Sequence, residues 1–186
     1  GGLYVNEGAA VVTGGAFANN EGKQGGAIQL NDQCSLTIEN AKFDKNTSQS
    51  SGGAIYASGT MTVKNTEFTG NTAPNGSGGA VSYNGNATIT LENCTFTGNQ
   101  ARNASAVNLG TSGLKAVLKG ITVTGNTNVG SVVQIRANVS DEHLSEVYAM
   151  FSRLEHILNA DSPMVFTLLG IFTLFRPEQP KNAALP

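Results

Sequence analysis

The sequence predicts an all-β fold in which a repeat of about 26 residues winds the chain into a parallel solenoid. Three observations carry this prediction. Glycine pairs recur at regular intervals, an F-x-x-N motif recurs in phase with them, and short alternating apolar segments lie between the two. A fixed period of about 20–50 residues is typical of stacked architectures, in which each repeat buries its apolar side against its neighbours.

The glycine pairs mark the start of each predicted coil. The series runs through Gly1-Gly2, Gly25-Gly26, Gly52-Gly53 and Gly78-Gly79, and continues as Ala104-Ser105 and Gly130-Ser131. The intervals are 24, 27, 26, 26 and 26 residues. Because glycine adopts backbone conformations that other residues avoid, and because each pair precedes an apolar segment, we expect the pair to form the bend into a strand.

The F-x-x-N motif supplies a second landmark in every coil. Its members are Phe17 and Asn20, Phe43 and Asn46, Phe68 and Asn71, Phe96 and Asn99, and the variant Val123 and Asn126. Asparagine tolerates left-handed backbone and hydrogen-bonds to turn backbone, so we expect these asparagines to form a column at one bend. Asn40, Asn65 and Asn93 form a second column of the same kind.

Alternating segments between these landmarks predict strands, because apolar residues at every second position line one face of a strand. Stacking the repeats gives three inward columns: Leu36, Met61, Ile89 and Ala116; Ile38, Val63, Leu91 and Leu118; Phe43, Phe68, Phe96 and Val123. Further apolar pairs follow the glycines: Ile28/Leu30, Ile55/Ala57, Val81/Tyr83, Val107/Leu109 and Val133/Ile135. Together these columns predict one continuous narrow core.

One outward column carries alternating charges. Glu39, Lys64, Glu92 and Lys119 occupy the same repeat position. In a parallel stack each charge then lies beside opposite charges on neighbouring coils, which avoids like-charge repulsion and favours a single register.

The motif G-G-A-[ILV], at Gly26-Ala27-Ile28, Gly53-Ala54-Ile55 and Gly79-Ala80-Val81, combined with F-x-x-N, resembles the repeat of chlamydial polymorphic membrane proteins and related bacterial surface β-helices. The resemblance covers about residues 1–137. It implies a right-handed parallel β-helix in a surface-exposed adhesin or autotransporter passenger. It also implies an extracellular or outer-membrane location and a host-cell protein or glycan as partner.

Residues 138–177 have a different composition and predict a C-terminal cap. An amphipathic helix of roughly 141–158 is indicated by one apolar face: Leu144, Val147, Tyr148, Phe151, Leu154 and Leu158. The alternative is a helix that binds a partner or a membrane surface, but its polar face is acidic, whereas lipid-binding helices are usually basic. The apolar segment 164–175 is too short to span a bilayer, and 178–186 is expected to be a disordered tail.

Composition argues against several partners and cofactors. The formal net charge is −2 and only 13% of residues are charged, so we expect neither nucleic acid nor an anionic membrane as partner. The two cysteines form no C-x-x-C motif, and we expect no metal and no cofactor. The chain starts at Gly1 without the features of an export signal, so we expect that signal, and further repeats or an anchor, to lie outside it.

Catalysis is not expected, although β-helices often process acidic polysaccharides. Glycosidic cleavage uses two positioned carboxyl groups, or a base with charge stabilisation. Asp32 and Asp44 sit at different repeat positions, and Glu39 and Glu92 are separated by the coil that carries Lys64. The sequence therefore predicts a non-catalytic adhesin or structural stalk, with a polysaccharide lyase or hydrolase as the alternative.

Four further residues and one threonine array also bear on function. His143 and His156 lie almost four turns apart on the predicted helix, too far to share a metal. Cys94 is expected to be a small buried thiol, and Cys34 falls in a turn. The T-x-T-like rows Ser35-x-Thr37, Thr60-x-Thr62 and Thr88-x-Thr90 raise ice binding as a minor alternative, but the array ends at Lys115-x-Val117.

Overall fold

The computed structural model describes residues 1–128 and 135–139, which form 20 β-strands and no helix. The first four coils contain four strands each. Coil 1 holds β1 (Leu3–Val5), β2 (Ala9–Thr13), β3 (Ala16–Ala18) and β4 (Glu21–Gly22). Coil 2 holds β5 (Ile28–Leu30), β6 (Ser35–Glu39), β7 (Lys42–Asp44) and β8 (Thr47–Ser48). Coil 3 holds β9 (Ile55–Ala57), β10 (Thr60–Lys64), β11 (Glu67–Thr69) and β12 (Thr72–Ser77).

The later coils continue this order. Coil 4 holds β13 (Val81–Tyr83), β14 (Thr88–Glu92), β15 (Thr95–Thr97) and β16 (Gln100–Asn103). Coil 5 holds β17 (Val107–Lys119), β18 (Thr122–Thr124) and β19 (Thr127–Asn128), and β20 (Ile135–Val139) starts the next coil. Because β17 runs without interruption through the positions of two strands, it joins two sheets that are separate in the earlier coils.

Equivalent strands of successive coils pair in parallel and form four long walls. Sheet A contains β1, β5, β9, β13, the start of β17 and β20, and sheet B contains β2, β6, β10, β14 and the end of β17. Sheet C contains β3, β7, β11, β15 and β18, and sheet D contains β4, β8, β12, β16 and β19. The predicted all-β parallel solenoid is therefore confirmed for the described residues.

The core lies inside the coils and follows the predicted columns. Met61 is in register with Leu36 on one side and with Ile89 on the other, and all three side chains are buried. The phenylalanine rings stack along the axis. Ring centroids of Phe17, Phe43, Phe68 and Phe96 are 5.0, 4.9 and 4.8 Å apart in turn. These spacings equal the distance between neighbouring strands, so the stack follows from the parallel register.

Sheet D was not predicted from the sequence. Its inward positions carry small side chains, namely Ser48, Ala73 and Ala101, which are buried. Strands of two to six residues with such side chains give a weak alternation signal, since large apolar residues are absent. Sheet D closes the coil between the asparagine column and the next glycine pair.

One predicted rung is wrong. The repeat aligned Val133 with Val107 and Ile135 with Leu109, whereas the structure pairs Ile135 with Val107 and Ala137 with Leu109. The error is a shift of two residues. Such a shift keeps every side chain on the same face of the strand, so two apolar pairings fit the pattern equally well and periodicity cannot separate them.

The remaining C-terminal predictions concern residues that the structure does not describe. The helix at 141–158, the apolar segment at 164–175 and the tail at 178–186 lie outside the described residues. No helix long and apolar enough to cross a bilayer occurs within the part of the chain that the structure describes.

Candidate functional site

The F-x-x-N asparagines form a buried ladder of side-chain amides. The Nδ2 atoms of Asn20, Asn46, Asn71 and Asn99 donate to the Oδ1 atom of the asparagine in the next coil at 2.9, 2.9, 2.9 and 2.8 Å. Each Nδ2 from Asn46 onward also donates to a phenylalanine carbonyl of the preceding coil; the pairs are Asn46–Phe17, Asn71–Phe43, Asn99–Phe68 and Asn126–Phe96. The ladder therefore links consecutive coils and has a structural role.

The expected left-handed backbone of this column is wrong, although the expected bond to turn backbone is present. Left-handed φ angles occur one residue earlier, at Lys45 (51°) and Gly70 (61°), for example. Because the third residue of the motif takes the left-handed conformation, the asparagine at the fourth position is free to point its side chain inward and form the ladder. In the second column, Asn40, Asn65 and Asn93 do adopt left-handed φ angles of 56°, 49° and 52°.

The glycine pairs bend the chain and let the coils approach closely. Gly25, Gly52 and Gly78 have φ angles of 62°, 69° and 70°. A Cβ atom on Gly53 would collide with the carbonyl oxygen of Gly79 in the next coil. The first glycine of a pair is thus required by conformation and the second, as in Gly26, Gly53 and Gly79, by space.

The charge column lies on the outer face of sheet B. Glu39, Lys64, Glu92 and Lys119 are in direct register. The Glu92 carboxylate binds two ammonium groups, that of Lys119 at 3.0 Å and that of Lys64 at 3.3 Å. The hydrogen bond from Lys119 and the similar bond from Lys64 lower the pKa of Glu92 below its ordinary value. Glu92 thus links the coils before and after its own through two ion pairs.

The outer face of sheet A carries polar and aromatic side chains that sequence reasoning missed. One register column contains Tyr4, Gln29, Tyr56, Ser82, Asn108 and, in β20, Arg136. Asn6, Asn31, Ser58 and Asn84 follow directly after the ends of these strands and form a second column. We call the accessible members, Tyr4, Asn6, Gln29, Asn31, Tyr56 and Asn84, the tyrosine-amide face. Each of the six is uncharged.

A hydrogen-bond pattern repeats on the tyrosine-amide face. The Asn31 Nδ2 atom donates to the Tyr4 hydroxyl at 2.7 Å, and the Asn84 Nδ2 atom donates to the Tyr56 hydroxyl at 3.4 Å. In both cases the asparagine belongs to the coil after that of the tyrosine. Tyr4 also donates to Asn6 Oδ1 at 3.1 Å, and the residue is 57% exposed. The two tyrosines are therefore held in place while remaining accessible.

A comparison with models of protein families matches residues 1–144 to the right handed beta helix region. The chain belongs to the right-handed β-helix family. Comparison with the curated proteins and with the solved structures gave no match. The right-handed parallel β-helix implied by the sequence resemblance is thus supported, whereas the narrower likeness to the chlamydial polymorphic membrane protein repeat stays a prediction.

The candidate carboxylates lie on separate parts of the β-helix. Asp32 is exposed in the turn between β5 and β6, and Asp44 lies on sheet C with its carboxylate 3.9 Å from the Lys45 ammonium. On sheet B, the coil with Lys64 separates Glu39 from Glu92. Within residues 1–128 and 135–139, no three His, Cys, Asp or Glu side chains are grouped so that they could hold a metal ion.

Two buried nucleophiles of the β-helix, Cys94 and Tyr83, are held protonated because burial raises the pKa of each. Cys94 is fully buried, its thiol donates to the Glu92 carbonyl at 3.4 Å, and burial raises its pKa to about 11. Burial also raises the pKa of Tyr83 to about 12, and the Tyr83 hydroxyl donates to the Ser58 carbonyl. Cys34 is free and buried. His143 and His156 lie outside the described residues.

The threonine rows are short. Thr62 is in register with Thr37 and Thr90, but the same column continues to Val11 on one side and Val117 on the other. The neighbouring column changes from Ser35, Thr60 and Thr88 to Lys115. A regular array of threonines thus covers three coils of sheet B beside the charge column.

Proposed function

We propose that this right-handed β-helix is a non-catalytic adhesin or structural stalk, exposed on a cell surface or secreted, that presents its outer faces to a host-cell protein or glycan. The bacterial outer membrane is the location that the sequence resemblance suggests. The tyrosine-amide face is the observation that carries the proposal, because its ordered, accessible side chains are not needed by the core.

The distribution of charge supports binding rather than cleavage. Cleavage of a glycosidic bond needs groups that converge on one bond, as two carboxyl groups about 5–10 Å apart do in glycosidases. On sheet B, Glu92 is neutralised by two lysines, and on sheet C the Glu67 carboxylate lies 3.2 Å from the Lys42 ammonium. Carboxylates in such ion pairs stabilise register and are poorly placed to act as acids or bases.

A paired assay tests this proposal. The protein is incubated with a panel of neutral and acidic polysaccharides, and new reducing ends and unsaturated products are measured. In parallel, its binding to cultured epithelial cells is measured as a function of concentration. We expect saturable binding to the cells and no product from any polysaccharide.

Two variants sharpen the result. Glu7 and Asp32 directly follow Asn6 and Asn31 of the tyrosine-amide face in the sequence, and both residues are exposed. Product formation that disappears in Glu7→Gln or Asp32→Asn, but persists in the matched Glu67→Gln variant on sheet C, would overturn the non-catalytic proposal. Absence of both cell binding and product would overturn the adhesin and leave the stalk.

A further inference from the structure

We propose that the tyrosine-amide face binds an uncharged, hydroxyl-rich glycan chain that runs along the axis of the β-helix. The inference rests on the proposed function, because it names the ligand class and the surface through which the protein would adhere. It follows from four features of the face: ring orientation, amide chemistry, charge and spacing.

The hydroxyl contacts indicate that the tyrosine rings lie along the sheet. The Tyr4 hydroxyl contacts Asn6, two residues further along the chain. Two residues of strand span roughly 6.6 Å, about the reach of a tyrosine side chain, so a ring making this contact lies along the strand direction. A ring in this position turns one π face toward solvent. The electron-rich face of an aromatic ring attracts the C–H groups that line one side of a sugar ring.

Amide side chains surround both rings. Asn31 contacts Tyr4, Asn6 and Gln29, and Asn84 contacts Tyr56. An amide group offers both donors and acceptors, and a sugar hydroxyl is likewise both donor and acceptor. The same surface can therefore bond to a series of hydroxyl groups without requiring a charged ligand.

The charge of the surroundings selects among glycans. The six residues of the tyrosine-amide face are uncharged, and the same register column reaches a cation, Arg136, only three coils beyond Tyr56. Glu7 and Asp32 follow Asn6 and Asn31 directly at the edge of the face. Carboxylates at the edge repel the carboxylate or sulfate groups of an acidic polysaccharide, whereas they accept hydrogen bonds from the hydroxyls of a neutral one. Charge complementarity thus favours an uncharged chain.

The spacing of the rings matches a polymer. Tyr4 and Tyr56 occupy the same column two coils apart, with Gln29 between them. Two parallel rungs span about 9.6 Å, which is comparable with the length of a disaccharide in an extended glycan. Alternate sugar units can then stack on the two rings while the intervening unit lies over Gln29.

Binding of the full chain to an array of neutral and acidic oligosaccharides of matched length tests this inference. We expect binding to neutral members and weaker or no binding to acidic ones. Tyr4→Ala with Tyr56→Ala should weaken binding about tenfold or more, since both stacking rings are lost. Tyr4→Phe with Tyr56→Phe keeps both rings and should lose less. Thr62→Ala with Thr90→Ala, on the outer face of sheet B, is the matched control and should bind as the wild type does.

The outcomes separate this inference from the proposed function. Failure to bind any neutral oligosaccharide, a preference for acidic ones, or unchanged affinity in the double alanine variant would overturn the glycan inference. Cell binding that persists in that variant would leave the adhesin proposal intact. Thermal unfolding shows whether each variant folds. Should the double variant not fold, Tyr4→Ala alone retains the test, because Tyr4 is 57% exposed and lies outside the core.

Discussion

Asn71 shows how one buried polar side chain can serve the fold. Its Nδ2 atom donates to Asn99 Oδ1 and to the Phe43 carbonyl, while its Oδ1 atom accepts from the backbone N–H and the Nδ2 atom of Asn46. These contacts join three consecutive coils. A buried polar group is costly when unpaired, so a fully paired amide ladder holds the coils at one spacing and one register.

Asn71→Asp tests the ladder with almost no change of shape. The carboxylate cannot donate to Asn99 or Phe43, and it buries a charge, so we expect the free energy of unfolding to fall by about 3 kcal/mol at pH 7. Burial raises the pKa of the new carboxyl in the folded state, and protonation restores a donor, so the difference from wild type should shrink as pH falls. Urea unfolding of both proteins at pH 7 and pH 4 measures this.

The control for this experiment is Asn75→Asp, because the Asn75 amide is exposed and bonds to the Gln49 carbonyl. We expect a change within about 0.5 kcal/mol. If Asn71→Asp were as mild as the control, the ladder would contribute little to stability.

Single residues were predictable from the sequence where the repeat constrains them. The inward positions of Leu36, Met61 and Phe68 could be predicted because an apolar residue recurs there in every coil. The amide ladder could not be predicted from the sequence. The recurrence of Asn46 and Asn71 indicates a shared role, but it does not distinguish a left-handed turn residue from an inward-pointing amide. Only the backbone conformation separates the two.

The strands of sheet B show how outward residues can reinforce register. Glu92 lies between Lys64 and Lys119 in neighbouring coils, and both ammonium groups contact its carboxylate. A shift of one residue in the pairing would separate these charges and also turn the apolar side chains outward. The charge column and the inward columns therefore favour the same alignment of β10, β14 and β17.

The pKa of Glu92 offers a direct test of this column. Lys119→Met should raise the pKa of Glu92 toward its ordinary value, because the hydrogen bond from the Lys119 ammonium to the Glu92 carboxylate is lost. Lys42→Met, which removes the partner of Glu67 on sheet C, is the matched control and should leave the pKa of Glu92 unchanged. A pH titration of the Glu92 carboxyl carbon by NMR measures both.

The sign of the pH effect follows from the lowered pKa. A carboxyl whose pKa is lower in the folded state stabilises the fold above the pKa of the unfolded state, and this contribution is lost as pH falls through the folded pKa. Glu92→Gln should therefore lose part of the acid sensitivity of unfolding. A pKa of Glu92 that does not move in Lys119→Met would argue against the column as described.

Strand pairing was predictable for sheets A, B and C up to β17, because large apolar residues mark each inward column. The prediction of strand pairing failed in two places, sheet D and β20, for physical reasons. Sheet D packs small side chains such as Ser48 and Ala73, which give little periodicity. The pairing of β20 depends on coil length, and Ile135 fits either of two positions that differ by two residues.

The β-helix as a whole separates its structural residues from its surface. Inward columns, glycine pairs and the amide ladder recur in coil after coil, and each coil interacts mainly with its immediate neighbours. Stability in such a solenoid is approximately a sum over coils and their interfaces. Outward positions away from the charge column are under no such constraint, so they can vary between coils and carry the recognition of a ligand.

This separation explains why the candidate site was hidden in the sequence. Tyr4 and Tyr56 share their column with Gln29 and Ser82, so no repeated residue type marks the position. Stacking of the coils brings them together with Asn31 and Asn84. The repeat predicts the architecture, but the chemistry of a face becomes visible only when the register is known.

The measurement that tests the central claim most directly is a crystal structure of the protein soaked with a neutral oligosaccharide. We predict an intact chain of sugar units along the outer face of sheet A, with sugar rings over Tyr4 and Tyr56. An oligosaccharide bound to another sheet, a chain cleaved beside Glu7 or Asp32, or no bound sugar would contradict the account.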